Sequence, residues 1–293
     1  MREFDFFQFN RLGETLEFVR KQKHTLKILA GGTDLVIELR KNSPKLGEFM
    51  DKVVDITNLK ELKGIDDEGD YIDIGACCTH SEIAQNEIIK KYFPALSQAC
   101  SSVGCLQTRN VGTIGGNVVN ASPSADTIPA LTAYDAELLL VKDHGEERTV
   151  KITDFVKGPY KTVIKKDEIL ASIIIKKTAF SNQKSVFDKL GRRNALSITR
   201  ISVCGVCDIE NNSIKNIRIV PGAVLSKFRR ITKAEEFLNG KEPEKEILKK
   251  AAEIISQDVF DEVGQRWSTP YKQPVLEKMA YGALCKMFGV NLK

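Results

Sequence analysis

Lys27-Ile28-Leu29-Ala30-Gly31-Gly32-Thr33-Asp34-Leu35 decides how this chain is read. Lys27 to Ala30 has the length and apolarity of a short buried strand, and it runs straight into two glycines. Glycine leaves no side chain where the backbone turns, so several N–H groups can converge on one anion and a bulky phosphate group can approach closely. Thr33 adds a hydroxyl donor, and Asp34 can orient the loop or accept from a ligand hydroxyl. An ordinary Gly-Gly turn looks the same, so this segment alone leaves both readings open.

Upstream, Leu12, Leu16 and Val19 recur at helical spacing, and Val53-Val54-Asp55-Ile56 reads as a second strand in the same layer, giving a small α/β unit. Downstream, Tyr71 to Gly75 alternates as a strand, and Thr79-x-x-Glu82 has capping-box form. Phe93-Pro94 opens a helix with Leu96, Ala99, Cys100 and Val103 on one face and Gly104 at its end. Strands follow at Asp135 to Val141 and Ile169 to Ile175, with Lys142 to Glu147 as a charged turn. The polar stretch from Thr178 to Lys184 is the preferred boundary of a second domain. Beyond it, strand-like runs at Ile201 to Ile209 and Ile214 to Val220 are joined by Glu210-Asn211-Asn212-Ser213. Two helical faces close the chain, one on Ile247, Leu248, Ala251, Ile254 and Ile255, the other on Leu276, Met279, Ala280, Ala283, Leu284 and Met287.

A second glycine segment repeats the device of the first. Arg109-Asn110-Val111-Gly112-Thr113-Ile114-Gly115-Gly116-Asn117 is followed by Ala121-Ser122-Pro123-Ser124-Ala125-Asp126. Its hydroxyls and amides can hydrogen-bond a diphosphate and a sugar, while Val111, Ile114, Val118 and Val119 can cover a flat ring. Neither segment has Gly-x-Gly-x-x-Gly spacing or the Lys-Ser/Thr ending of a triphosphate loop, which argues against a Rossmann site and a P-loop. No Gly-x-Ser-x-Gly elbow is present. The chain therefore offers no side-chain nucleophile, and a bound cofactor is expected to supply the reactivity.

The bulk properties set limits. With 293 residues, 42% hydrophobic and 28% charged, the chain can bury a core as one large or two modest domains. Its net charge of +5 is spread along the sequence, which gives no support to nucleic-acid binding. No stretch approaches the ~18 apolar residues of a membrane span, and the N-terminus lacks a signal-peptide core. Seven scattered cysteines fit a reducing compartment, so a cytoplasmic location is expected. Cys77-Cys78 and Cys204-x-x-Cys207 lie in β-like runs, and the three histidines (His24, His80, His144) have no ligand spacing, so packing is favoured over a metal site.

Taken together, Leu29-Ala30-Gly31-Gly32-Thr33-Asp34-Leu35 and Thr113-Ile114-Gly115-Gly116-Asn117 resemble the paired FAD loops of the medium subunits of molybdenum hydroxylases, the xanthine dehydrogenase and carbon monoxide dehydrogenase type. The resemblance extends through Val54-Asp55-Ile56, Ile74-Gly75-Ala76, Gln107-x-Arg109-Asn110, Ser124-Ala125-Asp126, Asp167-Glu168-Ile169-Leu170, and Lys189 with Arg193. It implies an α+β chain: a two-subdomain FAD-binding domain of the vanillyl-alcohol oxidase-like (PCMH) type over residues 1–178, with subdomains of about 1–56 and 57–178, and a smaller α+β domain over 179–293.

The resemblance also implies a site holding FAD non-covalently. Ile28, Leu29, Ala30, Gly31, Gly32, Thr33, Asp34 and Leu35 would wrap the diphosphate, and Gly112, Thr113, Gly115, Gly116 and Asn117 would complete the cradle. Asp126 would hold a ribityl or ribose hydroxyl, with Asn120 or Ala125 nearby. Ile169 and Leu170 would line the adenine or ring pocket, and Lys189 would sit at the pyrimidine end of the flavin, where a cation favours the anionic reduced form. Val103 stands where the family often carries an aromatic residue, which leaves open whether that position contacts the ring. Arg192-Arg193 could bind a nicotinamide-cofactor phosphate or form a surface contact.

In this family a molybdopterin-binding large subunit and a 2Fe-2S small subunit are the expected partners, with NAD+ or another acceptor taking the electrons. The absence of an inserted cysteine cluster disfavours the benzoyl-CoA reductase branch. Xanthine or a related N-heterocycle is the expected substrate of the complex. Two alternatives remain at this stage: a stand-alone flavin-dependent NAD(P)H reductase of the same superfamily, and a scaffold subunit docking partners through an exposed apolar stripe near the C-terminus.

Overall fold

The computed structural model describes residues 3–22, 25–47, 50–177, 183–193 and 196–291. The chain opens with β1 (Asp5–Gln8), α1 (Leu12–Gln22), β2 (Leu26–Leu29), α2 (Leu35–Lys41) and β3 (Lys52–Asp55). The three strands form a parallel sheet in the order β1-β3-β2, with Val54 opposite both Phe7 and Ile28. Leu16 and Val19 of α1 pack on this sheet, one turn apart on a single face.

A five-stranded antiparallel sheet follows, in the order β4-β5-β10-β6-β7. Its first strands are β4 (Ile65–Asp67) and β5 (Tyr71–Gly75). Six short helices follow: α3 (His80–Gln85), α4 (Glu87–Tyr92), α5 (Pro94–Ser101), α7 (Ile114–Asn120) and α8 (Thr127–Ala133) cover one of its faces, and α6 (Leu106–Val111), which buries no residue, packs outside them on α3. The expected capping box is present: Thr79 accepts from the Glu82 N–H while Glu82 accepts from the Thr79 N–H. The chain returns through β6 (Glu137–Val141), β7 (Glu147–Lys151), α9 (Ile152–Phe155), the small hairpin β8 (Val156–Gly158) and β9 (Lys161–Thr162), and the central strand β10 (Ile169–Lys176). Because β10 is buried on both faces, it reads as a nearly continuous apolar run. Ile169 and Ala171 join the core shared with the parallel sheet, whereas Leu170, Ile173 and Ile175 enter the larger core beneath the helices.

The last part is an antiparallel sheet of β11 (Gln183–Leu190), β12 (Ile201–Glu210) and β13 (Ser213–Gly222), followed by α10 (Thr232–Leu238), α11 (Lys245–Val263) and α12 (Thr269–Phe288). Successive β12 side chains alternate: Cys204 and Val206 enter the core of the preceding helices, and Ile201, Val203 and Cys207 face α10 to α12. Cys204 and Cys207 thus lie on opposite faces of one strand and cannot converge on one ion. Cys77 and Cys78 are likewise buried in core.

Four expectations need correction. The second glycine segment is not a loop, because Ile114 to Asn120 form α7, capped by the Thr113 hydroxyl accepting from the Gly116 N–H. The stripe on α12 is not exposed: Leu276, Ala280, Ala283, Leu284 and Met287 are buried against the sheet and α11. The charged turn ends one residue early, since Glu147 already pairs with Val141. Val103 and Asp135 fall outside their expected elements, α5 ending at Ser101 and β6 starting at Glu137, with Asp135 left-handed at φ 52°. The expected boundary at Thr178 lies outside the described residues.

Candidate functional site: a glycine cradle between two sheets

The first glycine segment links β2 to α2. Ile28 and Leu29 pack on either side of the strand, into the two small cores of the parallel sheet, and Ala30 is half-buried. Gly32 is left-handed at φ +70°, a conformation glycine adopts without steric cost. Among the described residues, no protein acceptor takes the N–H groups of Gly31, Gly32 or Thr33. Asp34 is exposed at the N-cap of α2 and makes no capping bond, and Leu35 begins the helix.

The second segment works differently. Its amides are already engaged: Ile114 N–H donates to the Cys78 carbonyl at 3.0 Å, and Gly115 N–H to the Ala76 carbonyl at 2.9 Å. A Cβ on Gly115 would stand 2.6 Å from the Ala76 Cβ, so glycine here permits the close approach of α7 to the end of β5. What this segment offers a ligand is side chains: the Thr113 hydroxyl and the Asn117 amide, whose oxygen accepts from Thr127 at 2.7 Å.

The two segments meet face to face. A Cβ on Gly31 would overlap the Val111 carbonyl oxygen and lie 2.7 Å from the Gly112 Cα. A Cβ on Gly116 would come within 2.9 Å of the Thr113 hydroxyl and 3.9 Å of the Ala30 Cβ. The walls touch where Gly31 meets Val111 and Gly112, so a ligand would lie along their shared rim, with free amides on one side and hydroxyl and amide side chains on the other. That donor set fits a diphosphate.

Beyond the Asn117–Thr127 bond lies a charged cluster. Lys189 of β11 places Nζ 2.7 Å from Asp126 Oδ2 and donates to the Ser102 carbonyl at 2.6 Å. Thr199 donates its hydroxyl to Asp126 Oδ1, and Ser102 donates to Oδ2 at 3.4 Å. Asp126 is 6% exposed; burial pushes its carboxyl above the ordinary range, and Lys189 pulls in the other direction. The structure thus joins Asp126 and Lys189 as a pair and adds Ser102 and Thr199. Neither of these last two stands in a motif; the only signal was adjacency, Ser102 to Val103 and Thr199 to the segment after Lys189.

The remaining residues divide. Val103 is half-buried beside Ser102, and its carbonyl accepts from Arg109 at 3.0 Å. Asn120 ends α7 and Ala125 lies in the buried turn before α8. Ile169 and Leu170 are packed in core, 2% and 4% exposed, beside a β-bulge in the pairing of β10 with β6. Arg192 and Arg193 are exposed, and Arg193 donates to the Leu196 carbonyl.

A small parallel sheet and a larger antiparallel one that share a glycine cradle, backed by a third sheet carrying a lysine, define a two-part flavin-binding protein. The profile described as "FAD binding domain in molybdopterin dehydrogenase" matches residues 2–177, and "CO dehydrogenase flavoprotein C-terminal domain" matches 185–287; the chain belongs to this family of FAD-binding medium subunits. It is 32% identical over 293 residues to the nicotinate dehydrogenase FAD-subunit of Eubacterium barkeri, covering 98% of this chain and 96% of that one. It is 31% identical over 283 residues to the glyceraldehyde dehydrogenase medium chain of Sulfolobus acidocaldarius, covering 96% and 97%. A carbon monoxide dehydrogenase from Hydrogenophaga pseudoflava shares the fold, with TM-score 0.87 over 99% of this chain and 98% of that chain at 24% identity.

Proposed function

We propose that this chain is the electron outlet of a molybdenum hydroxylase complex, taking electrons from 2Fe-2S centres on a small subunit that serves a molybdopterin-binding large subunit, and delivering them to NAD+ or another acceptor. The observation that carries the reading is the meeting of Gly31 with Gly112, which closes a diphosphate cradle one hydrogen bond away from the Asp126–Lys189 pair. Bound FAD would supply the redox chemistry, accepting electrons one at a time and returning them as a pair.

The protein residues do the holding and the tuning. The N–H groups of Gly31, Gly32 and Thr33, with the Thr113 hydroxyl and Asn117, would bind the diphosphate. Asp126 keeps one carboxylate position for a ribityl or ribose hydroxyl, and Lys189, anchored by Asp126 and the Ser102 carbonyl, would present a fixed cation at the pyrimidine edge of the ring. Ile169 and Leu170 would line the adenine or ring pocket, and Val103, Asn120 and Ala125 would border the ring and sugar. The FAD-binding domain would span 1–178 and the second domain 179–293.

The proposed substrate of the complex is xanthine or a related N-heterocycle, a class supported by the name of the nicotinate relative, and the proposed location is the cytoplasm, where seven unpaired cysteines are at home. Among the described residues, no helix is long and apolar enough to cross a membrane. The test is direct. The purified chain should be yellow and release FAD on denaturation, and co-purified with its partner chains it should reduce NAD+ in a screen of purines and aromatic heterocycles. Colourless chain that refuses added FAD would overturn the reading.

A further inference from the structure

The loop between β11 and β12 is closed at its base, where the Arg200 N–H donates to the Leu190 carbonyl at 2.8 Å, and Thr199 pins it inward by donating its hydroxyl to Asp126. Its outer side is apolar and cationic. Leu196 is 55% exposed and Ile198 81%, and in sequence they lie between Arg192 and Arg193 on one side and Arg200 on the other. The start of α12 adjoins this loop, because the Arg200 guanidinium sits 6.0 Å from the centre of the Tyr271 ring. Next to Tyr271, Lys272 donates to the Ala223 carbonyl at 2.8 Å; burial, then the charges of Arg200 and Arg266, hold it below the ordinary lysine range. Trp267, in the turn leading into α12, is 95% exposed, and Tyr271 48%. Among the described residues no carboxylate pairs with Arg192, Arg193, Arg200, Arg266 or Lys272. The acidic groups at the end of α11, Asp258 and Glu262, are taken by Arg229.

A single exposed leucine needs no explanation, but a tryptophan almost wholly in water, beside three more apolar side chains and five unpaired cations, does. Aromatic residues and arginine are what protein interfaces concentrate at their centres. The unpaired charge calls for an acidic partner. Small ligands and dinucleotides are held in concave sites. Side chains that stand 81% and 95% clear of the chain instead need a partner with a cavity of its own, which is a protein. Thr199 fastens this face to the Asp126–Lys189 pair, the proposed pyrimidine edge of the flavin and the place where electrons would leave. We propose that the face docks the acidic surface of a small electron-carrier protein, with Trp267 as its apolar anchor and Arg200, Arg266 and Lys272 as the steering charges. This rests on the electron-outlet reading and adds a protein acceptor to NAD+. The electrons balance as two carriers reduced by one electron each for one anionic reduced flavin reoxidised, with the N5 proton released to water.

The experiment uses the complex co-purified with its partner chains and, as the probe, a small acidic flavodoxin. Binding is followed by calorimetric titration at about 0.01 M and about 0.1 M salt, where charges are felt over roughly 30 and 10 Å. Wild type should bind at the lower salt and lose about ten-fold in affinity at the higher. Arg266→Glu alters an exposed side chain with no partner among the described residues; it should weaken binding about ten-fold at low salt and about three-fold at the higher. Trp267→Ser removes apolar contact rather than charge, so it should cost about ten-fold at both. A wild-type complex that binds no flavodoxin, or binds it without regard to salt, overturns the inference, and so do variants that bind it as wild type does. Loss of partner chains from the Trp267→Ser complex would give the face to one of those subunits, and a fall in its NAD+ affinity with flavodoxin binding unchanged would give the face to a dinucleotide; each overturns the inference. The titration needs no flavin, so colourless chain that refuses FAD, which overturns the cradle reading, is a separate and visible result.

Discussion

Lys189 and Asp126, 63 residues apart in sequence, are joined at 2.7 Å across the boundary between the helical layer and the third sheet. The lysine side chain is 15% exposed and the carboxylate 7%, so this pair is largely removed from water. It fixes the site's charge and also clamps the two parts of the chain together.

Lys189→Met should therefore destabilise the chain by about 3 kcal/mol at pH 8, the usual cost of leaving one member of a buried pair alone. Without the lysine, the Asp126 carboxyl rises further above its ordinary range. A carboxyl with a native pKa above its unfolded value binds its proton more tightly in the native state, so the loss should shrink as the pH falls toward 5. Urea unfolding at the two pH values measures both; an equal loss at each would contradict the account.

Gly31→Ala and Gly116→Leu should both yield chain without flavin. The added Cβ at Gly31 overlaps the Val111 carbonyl, a backbone atom that cannot swing aside, so the walls must part. At Gly116 the first contact is the Thr113 hydroxyl, and a leucine extends into the cradle toward Ala30. Partner subunits should still co-purify with the Gly116 variant. Retained flavin absorbance in either variant would contradict this.

The His80 ring predicts an acid-sensitive apo chain. Its pKa is about 4 when folded against 6.5 unfolded, so between these values the unfolded chain takes up a proton that the native chain refuses. The stability due to this residue is complete above pH 6.5, is lost as the pH falls, and is gone near pH 4, a span of about 3 kcal/mol. The stability of wild type minus that of His80→Phe in urea unfolding, followed from pH 7 to 4, should fall by roughly this amount.

Cys105 should be the first thiol to react with iodoacetamide under native conditions. Hydrogen bonds from Thr108, side chain first, hold its pKa below the ordinary value, and it is only half-buried. Burial pushes Cys77 up to about 12, Cys78 to about 11 and Cys207 to about 12, and raises Cys100 and Cys204 as well. Peptide mass spectrometry after brief labelling identifies the modified residue.

Elements with a clear period were legible in the sequence. The faces of α1, α11 and α12, the Thr79 cap and the β12–β13 hairpin all follow from local chemistry. β1, with Asp5 and Gln8 at its ends, was not legible, because its place depends on parallel pairing with distant β3. Nor was α7, whose two glycines oppose helix formation; the Thr113 cap and the anchoring of its first amides to Ala76 and Cys78 override that propensity. The site was half legible for the same reason. Glycines announce a cradle, but Ser102 and Thr199 acquire meaning only when distant segments are brought together on Asp126.

The unequal walls of the cradle have a thermodynamic consequence. The second wall is bonded to the end of β5, and the first hangs from the parallel sheet, touching its counterpart where Gly31 meets Gly112. A ligand bridging the rim of that seam fastens one sheet to the other, and the chain gains stability in proportion to the logarithm of ligand concentration over Kd, about 2.7 kcal/mol at a hundred-fold excess. Cofactor supply then sets how resistant the chain is to unfolding.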